Sequence, residues 1–394
     1  MKLYIAACGL GLGHATRCLA LAEKAKMQGF KVAFSTYSGE TLKLLRNKGY
    51  PVLEVPYMAY LLGDDGNVDF KLTLARGPIE LRKLAVQTGL EFKYMLKEKP
   101  DVVVADSRLS AVTAAYLLDL PSILILNQVK LIIPRRRPIK GAALKVKAAT
   151  ERLGCELLGM GWSKVDKVLV ADFPPPYTIS RDNLYVPARL RGKLKLVGPL
   201  IDYERYTLED KDQAKEKLKL YGKPLILVST GGLKEERIKL LRTVISSFKG
   251  LSKVNVVVSA SLPERQGLMF EENGVKVYGW LPSRHEYLKA ADLLITHGGH
   301  TSIAEAMYTA TPMLIVPNKG HTERTGNARA AEQLGVAKVL DQEEAEAEKL
   351  REVALTMLSD PTYSERASKL AKEVHRFRAV DEALKEILNL IGNQ

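Results

Sequence analysis

Two stretches of this chain carry residue types and spacings suited to chemistry. In the first, Gly9-Leu10-Gly11-Leu12-Gly13-His14-Ala15 follows the apolar run Leu3 to Cys8 and leads straight into an amphipathic pattern. Glycines in such a turn let the backbone bend tightly and let a ligand approach a helix N-terminus, so Gly11 and Gly13 are candidate contacts. Taken alone, the spacing also fits a dinucleotide fingerprint whose third glycine is replaced by the His14-Ala15-Thr16 start. His14 falls in the first turn of the expected helix, where the positive end of the dipole favours a neutral ring able to accept a proton. It is the candidate general base, with a capping or solvent-exposed histidine as the plainer alternative. Asp106 closes the apolar run Val102 to Ala105 and precedes another helical pattern. It could orient His14 and stabilise the charge that His14 acquires. Equally, Asp106 or Ser107 could cap the following helix.

The second stretch runs from Gly279 to Ala328. Gly279-Trp280-Leu281-Pro282-Ser283 is followed by the apolar run Leu293 to Thr296, then by His297-Gly298-Gly299-His300-Thr301-Ser302-Ile303-Ala304-Glu305, with Thr311-Pro312, Pro317 and Asn327-Ala328 behind it. A strand, a glycine turn and a helix N-terminus in succession form a cradle for a diphosphate. Amides near Gly299 to Ser302, together with the hydroxyls of Thr301 and Ser302, would bind phosphate oxygens, His297 could donate to them, and Gly298 and His300 are further donor-binding candidates in the same turn. Glu305, one turn further on, could accept both ribose hydroxyls. Ser302 and Glu305 also have the spacing of a capping box, which would need neither ligand.

The elements that must position these residues alternate in type. Leu3 to Cys8, Lys31 to Thr36, Val52 to Val55, Val102 to Ala105, Ser122 to Leu126 and Val168 to Val170 read as strands. Ala15 to Met27 and Leu109 to Leu118 read as helices between them. After Phe173-Pro174-Pro175-Pro176 and a basic run, the alternation restarts with Leu225 to Ser229, Val254 to Ser259, Val275 to Tyr278, Leu293 to Thr296, Met313 to Val316 and Ala337 to Val339. The expected fold is α/β, with two Rossmann-like doubly wound domains facing across a cleft. The boundaries expected are 1–197 for the first domain and 198–375 for the second. A C-terminal helix of 376–394, at the end of a helical pattern running from about Glu365 to Ile391, would cross back to the first domain.

Composition narrows the setting. The 394 residues are 46% hydrophobic and 26% charged, and no apolar run approaches the ~20 residues of a membrane-spanning helix. Three cysteines without metal-ligand spacing suggest neither disulfides nor zinc, so a reducing, cytoplasmic location is expected. Residues 1–200 hold 31 Lys and Arg against 17 Asp and Glu, which is the whole net charge of +14; residues 201–394 hold 28 of each. The excess should attract anionic partners. Lys130, Arg135, Arg136, Arg137 and Lys140 lie among apolar residues just before a basic helical pattern from Ala142 to Leu158, which suits a membrane-facing or acceptor surface. No aromatics are interleaved with these cations, so no nucleic-acid partner is expected. The acidic stretch Asp64-Asp65-Gly66-Asn67-Val68-Asp69 reads as a loop rather than a metal site.

Residues 1–390 resemble the inverting GT-B glycosyltransferases, in particular UDP-glycosyltransferases and the lipid-linked N-acetylglucosaminyltransferase of peptidoglycan synthesis. The resemblance implies that Trp280, Pro282 and Ser283 frame the base, and that His297, Gly299, Ser302 and Glu305 bind diphosphate and ribose. It implies that His14 is the general base, with Asp106 as its partner. Gly231-Gly232 would be a second loop touching the diphosphate, with Lys234 near it. One position departs from the pattern. Where the family usually has Asp-Gln or Gln-Gln for the sugar hydroxyls, this chain has Glu323-Arg324, and a fixed cation there favours an acidic sugar. The expected activity is transfer of a sugar from a UDP-sugar, with inversion and without cofactor or metal, to a lipid or lipid-linked acceptor at an anionic membrane surface. A nucleotide-sugar 2-epimerase and a non-catalytic sugar-nucleotide or RNA-binding protein are the alternatives.

Overall fold

The structure, a computed structural model, describes residues 1–9, 12–57, 77–127, 130, 140–206, 211–220, 222–231, 234–262, 264–318 and 321–392, without the side chains of 77 and 234–236. The chain forms two compact units. The first comprises Met1–Pro174, Asp182–Ile201 and Arg378–Gln394; the second comprises Pro175–Arg181 and Asp202–Phe377.

In the first unit, runs of β-branched and other apolar residues become strands buried on both faces, as a parallel sheet covered by helices requires. The elements are β1 (Lys2–Ala6), α1 (Leu12–Met27), β2 (Lys31–Tyr37), α2 (Glu40–Asn47), β3 (Val52–Val55), α3 (Gly77–Glu98), β4 (Val102–Asp106), α4 (Leu109–Leu117), β5 (Ser122–Leu126), α5 (Ala142–Trp162), β6 (Lys167–Val170) and β7 (Leu194–Leu196). Among the described residues the sheet has seven strands in the order β3-β2-β1-β4-β5-β6-β7, and each pair is parallel. Strand order reverses between β1 and β4, so the crevice outside their carboxyl ends is where such a sheet holds ligands.

The second unit contains α6 (Lys211–Lys217), β8 (Leu225–Ser229), α7 (Lys234–Phe248), β9 (Asn255–Ser259), β10 (Leu268–Glu272), β11 (Val275–Tyr278), α8 (Arg284–Ala290), β12 (Leu293–Thr296), α9 (His300–Tyr308), β13 (Met313–Ile315), α10 (Thr322–Gln333), β14 (Ala337–Val339), α11 (Ala347–Ser359) and α12 (Pro361–Val374). Its described strands run β10-β11-β9-β8-β12-β13-β14, with β10 antiparallel and the rest parallel. The reversal here lies between β8 and β12.

Two strands had no sequence signal. β7 is three residues long and half-buried, and β10 is an edge strand with an almost fully exposed pattern, so neither shows an apolar period. The helical pattern from Glu365 to Ile391 is not one helix. α12 begins at Pro361, with Asp360 accepting the Thr362 amide at 2.9 Å, and a second helix, α13 (Ala379–Gly392), follows a break. Tertiary contacts hold the break. His375 Nε2 lies 2.8 Å from the Tyr308 carbonyl, and the Tyr308 hydroxyl donates to the Phe377 carbonyl at 2.6 Å. α13 belongs to the first unit, where Asp381 pairs with Lys24 at 3.2 Å and Glu386 pairs with Lys167 and Lys195 at 2.7 and 2.8 Å.

A buried polar cluster braces the first sheet just beneath its switch point. Glu91 of α3 accepts from the Tyr4 hydroxyl at 2.5 Å, Ser35 at 2.8 Å and Arg108 Nη2 at 2.5 Å. Arg108 also donates to the Ala7 carbonyl at 3.2 Å and lies 4.6 Å over the Tyr37 ring. Tyr37 leaves no room for a side chain at Gly9, where an added Cβ would meet it at 2.6 Å. The cluster therefore joins the tips of β1, β2 and β4 to one helix.

Candidate active and nucleotide sites

The catalytic candidates of the first unit meet at the β1/β4 switch point. His14 sits in the first turn of α1, and Asp106 is the last residue of β4; His14 Nδ1 and Asp106 Oδ1 are 3.0 Å apart. Asp106 does not cap α4, whose N-cap is Arg108 and which has no side-chain cap bond. Its carboxylate instead collects donors from α1: Arg17 Nε at 2.7 Å to Oδ2, Arg17 Nη2 to Oδ1, and the Cys18 thiol at 3.3 Å to Oδ2. Ser107 adds a bond at 3.3 Å.

Arg17 Nη2 also lies 2.9 Å from His14 Nδ1. The carboxylate can only accept, so the His14–Asp106 contact is a hydrogen bond when Nδ1 carries the proton; in that tautomer Arg17 Nη2 donates to Asp106 Oδ1 and not to the ring. Nε2 then keeps its lone pair, and the His14 side chain is 23% exposed while Asp106 is fully buried. Burial alone would raise the Asp106 pKa, but the Arg17 guanidinium and then His14 outweigh it and hold the carboxyl well below the usual carboxylate range. Burial pushes the Cys18 thiol up, so it stays a neutral donor.

A carboxyl with a depressed folded-state pKa contributes stability that is present above its unfolded value of about 4 and lost as pH falls through the folded value. Asp106→Asn is therefore expected to flatten the acid limb of the melting-temperature profile below about pH 4. An unchanged acid limb would contradict this.

In the second unit the glycine turn after β12 is built as a cradle. Gly298 has φ +82°, and a Cβ there would lie 3.0 Å from both the Arg324 carbonyl and Ile315 Cγ2. Asn327 donates to the Gly298 carbonyl at 3.3 Å. Gly299 is the N-cap of α9, so the first-turn amides of His300, Thr301 and Ser302 have no intrahelical acceptors. His297 Nδ1 contacts the Val316 carbonyl at 2.9 Å. In the neutral ring this places the proton on Nδ1, so donation to a phosphate from Nε2 needs the imidazolium.

Ser302 and Glu305 do not form a capping box, since the N-cap is Gly299, Ser302 lies inside α9 and the Glu305 carboxylate is bonded elsewhere. Glu305 Oε1 accepts the Tyr206 hydroxyl at 2.7 Å, and Oε2 accepts Arg284 Nη1. Arg284 Nη2 reaches Ser302 Oγ at 3.3 Å and Ser229 Oγ, at the tip of β8, at 3.4 Å. Burial would lower the Arg284 pKa, but Glu305 more than reverses that; burial and Glu305 together raise Tyr206.

The other expected site residues are more dispersed. Trp280 is tied by its amide to the Arg265 carbonyl at 2.6 Å, Pro282 is exposed, and Ser283 is left-handed at φ 51° immediately before α8. Gly13 lies in the first turn of α1, and Gly231 is exposed after β8. Glu323 and Arg324 fall in the first turn of α10, both partly buried. Lys130 and Lys140 are exposed. Gly11, Gly232, Arg135, Arg136, Arg137 and the acidic stretch 64–69 lie outside the described residues, as does the Lys234 side chain.

Sequence reasoning missed Arg17, Cys18, Tyr206 and Arg284. Arg17 and Cys18 had a usable signal, because positions three and four beyond His14 share its helix face. Tyr206 and Arg284 had none that pointed to Glu305, which lies 99 and 21 residues away.

Two Rossmann-like sheets of this order, each with polar groups gathered at its switch point, make up the GT-B architecture. Residues 245–383 match the family model described as "Glycosyltransferase family 28 C-terminal domain". An uncharacterized glycosyltransferase of Methanosarcina acetivorans is 31% identical over 377 residues, covering 94% of each chain. Among solved structures, the calicheamicin glycosyltransferase CalG4 superposes with TM-score 0.65 at 18% identity, covering 100% of this chain and 98% of its own. MurG of Acinetobacter baumannii does so with TM-score 0.59 at 16% identity, covering 100% and 99%. This chain belongs to the GT-B glycosyltransferases that carry a family 28 C-terminal domain. Among the described residues no helix is long and apolar enough to cross a membrane.

Proposed function

We propose that the protein transfers a sugar from a UDP-sugar, with inversion, to a lipid or lipid-linked acceptor at the cytoplasmic face of a membrane. The observation that carries the reading is the His14–Asp106 pair at 3.0 Å, which leaves Nε2 available to take a proton. In the proposed step the acceptor O–H gives its proton to His14 Nε2 while its oxygen attacks the anomeric carbon. The bond from that carbon to the diphosphate oxygen breaks, and UDP leaves. Asp106 stabilises the imidazolium, and the amides at the start of α9 stabilise the departing diphosphate. Residues 1–197 would bind acceptor and 198–375 donor. Arg324 in the first turn of α10 supports a donor with an acidic sugar, such as a uronic acid.

The outer face of α5 supports the membrane part. Val146, Leu153, Leu157 and Met160 fall on one side of the helix, 46 to 65% exposed, opposite the buried Glu151, Cys155 and Gly159. Lys145 and Arg152 are exposed, whereas both acids of the helix are engaged elsewhere. Glu151 pairs with Lys147, and Glu156 accepts from the Tyr185 hydroxyl at 2.6 Å and the Ala188 amide at 3.3 Å. A helix face with cations and apolar side chains but no free acid suits an anionic bilayer surface.

UDP release measured with a panel of UDP-sugars, with and without a membrane lipid extract, tests the reading. Lipid-stimulated release that is abolished in His14→Ala and Glu305→Ala is expected, with UDP-uronates outcompeting neutral UDP-hexoses. Leu153→Glu combined with Leu157→Glu should remove the lipid stimulation and sedimentation with anionic vesicles. No release with any donor, or release indifferent to lipid, would overturn the donor or the acceptor assignment respectively.

A further inference from the structure

We propose that Arg284 is a nucleotide-binding residue with two positions. It neutralises Glu305 in the empty site and turns to the diphosphate when a nucleoside diphosphate arrives. The inference rests on the donor reading above and adds a residue that lies outside the glycine motif. Both oxygens of the Glu305 carboxylate are taken, Oε1 by the Tyr206 hydroxyl at 2.7 Å and Oε2 by Arg284. The same guanidinium lies 3.3 Å from Ser302 Oγ in the first turn of α9 and 3.4 Å from Ser229 Oγ at the end of β8. It thus stands at the β8/β12 switch point, among the groups suited to ribose and phosphate.

A ligand that offers only ribose hydroxyls to Glu305 must displace the guanidinium and leave it, only 24% exposed, without its counter-charge, which is costly. A diphosphate removes that cost. Its hydroxyls replace Arg284 at the carboxylate, and its anionic oxygens at the start of α9 receive the released cation, helped by the serines that already face it. The pair therefore makes binding of the two halves of the nucleotide interdependent. A nucleoside alone is penalised and a nucleoside diphosphate is not.

Calorimetric titration with uridine and UDP, and with thymidine and dTDP in parallel, tests this on the wild type, Arg284→Met and Arg284→Lys. In Arg284→Met, UDP is expected to bind about 10- to 100-fold more weakly, the range for a lost hydrogen bond to a charged group, while uridine binds more tightly than to the wild type. Arg284→Lys keeps the charge without the fork and should fall between them, and it serves if the methionine variant does not fold. A merely structural arginine would not produce changes of opposite sign. Loss of nucleoside and diphosphate affinity in equal proportion, or no change in either, would overturn the proposal alone. A wild type that binds no nucleoside diphosphate would overturn it together with the donor reading.

Discussion

His14→Ala is expected to lower turnover by about three to four orders of magnitude, as loss of a positioned general base does, while the urea-unfolding midpoint stays near that of the wild type. His14 is partly exposed, and its removal leaves Asp106 still held by Arg17, Cys18 and Ser107. Asp106→Ala should behave differently. It abolishes turnover to a similar degree, and it also strips the buried Arg17 guanidinium of its counter-charge, a change that typically costs about 3–5 kcal/mol. Pairing Arg17→Leu with Asp106→Asn should recover much of that stability without recovering activity, because the burial cost is removed while the orienting carboxylate is still missing. Near-normal turnover in His14→Ala would sink the assignment of the base. A stable, inactive Asp106→Ala would show that Arg17 finds another partner.

The second large effect is expected at the brace beneath the switch point. Arg108→Met leaves the buried Glu91 without its cationic partner, with the Tyr4 and Ser35 hydroxyls as its remaining donors among the described residues, so unfolding free energy should fall by about 3–5 kcal/mol. Substituting both Arg108→Met and Glu91→Leu should cost less than the single change, since a fully apolar replacement leaves no unpaired ion. The brace lies two residues beyond Asp106 and holds the Ala7 carbonyl ahead of the glycine turn. Turnover should therefore drop with the single change, while nucleotide affinity, proposed to lie in the second unit, should hold. Equilibrium denaturation and UDP titration read the two separately. A loss under 1 kcal/mol would mean that water or a shifted side chain replaces the pair.

Much of this molecule is visible in its order of residues. Twelve of the strands follow from apolar, β-branched runs bounded by turns, and His14, Asp106 and the His297 to Glu305 segment stand at strand ends because a doubly wound sheet places its polar groups there. β7 and β10 escaped because half-exposed edge strands have no periodic apolar signal. The C-terminal break at His375 escaped because no proline or glycine marks it; bonds from Tyr308, far back in the chain, hold it open.

The sequence by itself determined the fold class, the strand ends where the candidate residues stand and the sign of the net charge, since each depends on local period, turn residues or composition. Only the tertiary structure decided what those side chains do to one another. Asp106 could cap a helix or face His14, and it faces His14 because Arg17 and Cys18 of α1 pack onto β4 and supply its donors. Ser302 and Glu305 could close a capping box, and they do not, because the helix starts two residues ahead of Ser302 and Arg284 and Tyr206 come from other elements to take the carboxylate. Ion pairs between residues far apart in the chain leave no periodic trace in sequence, as their partners are chosen by the packing of whole elements.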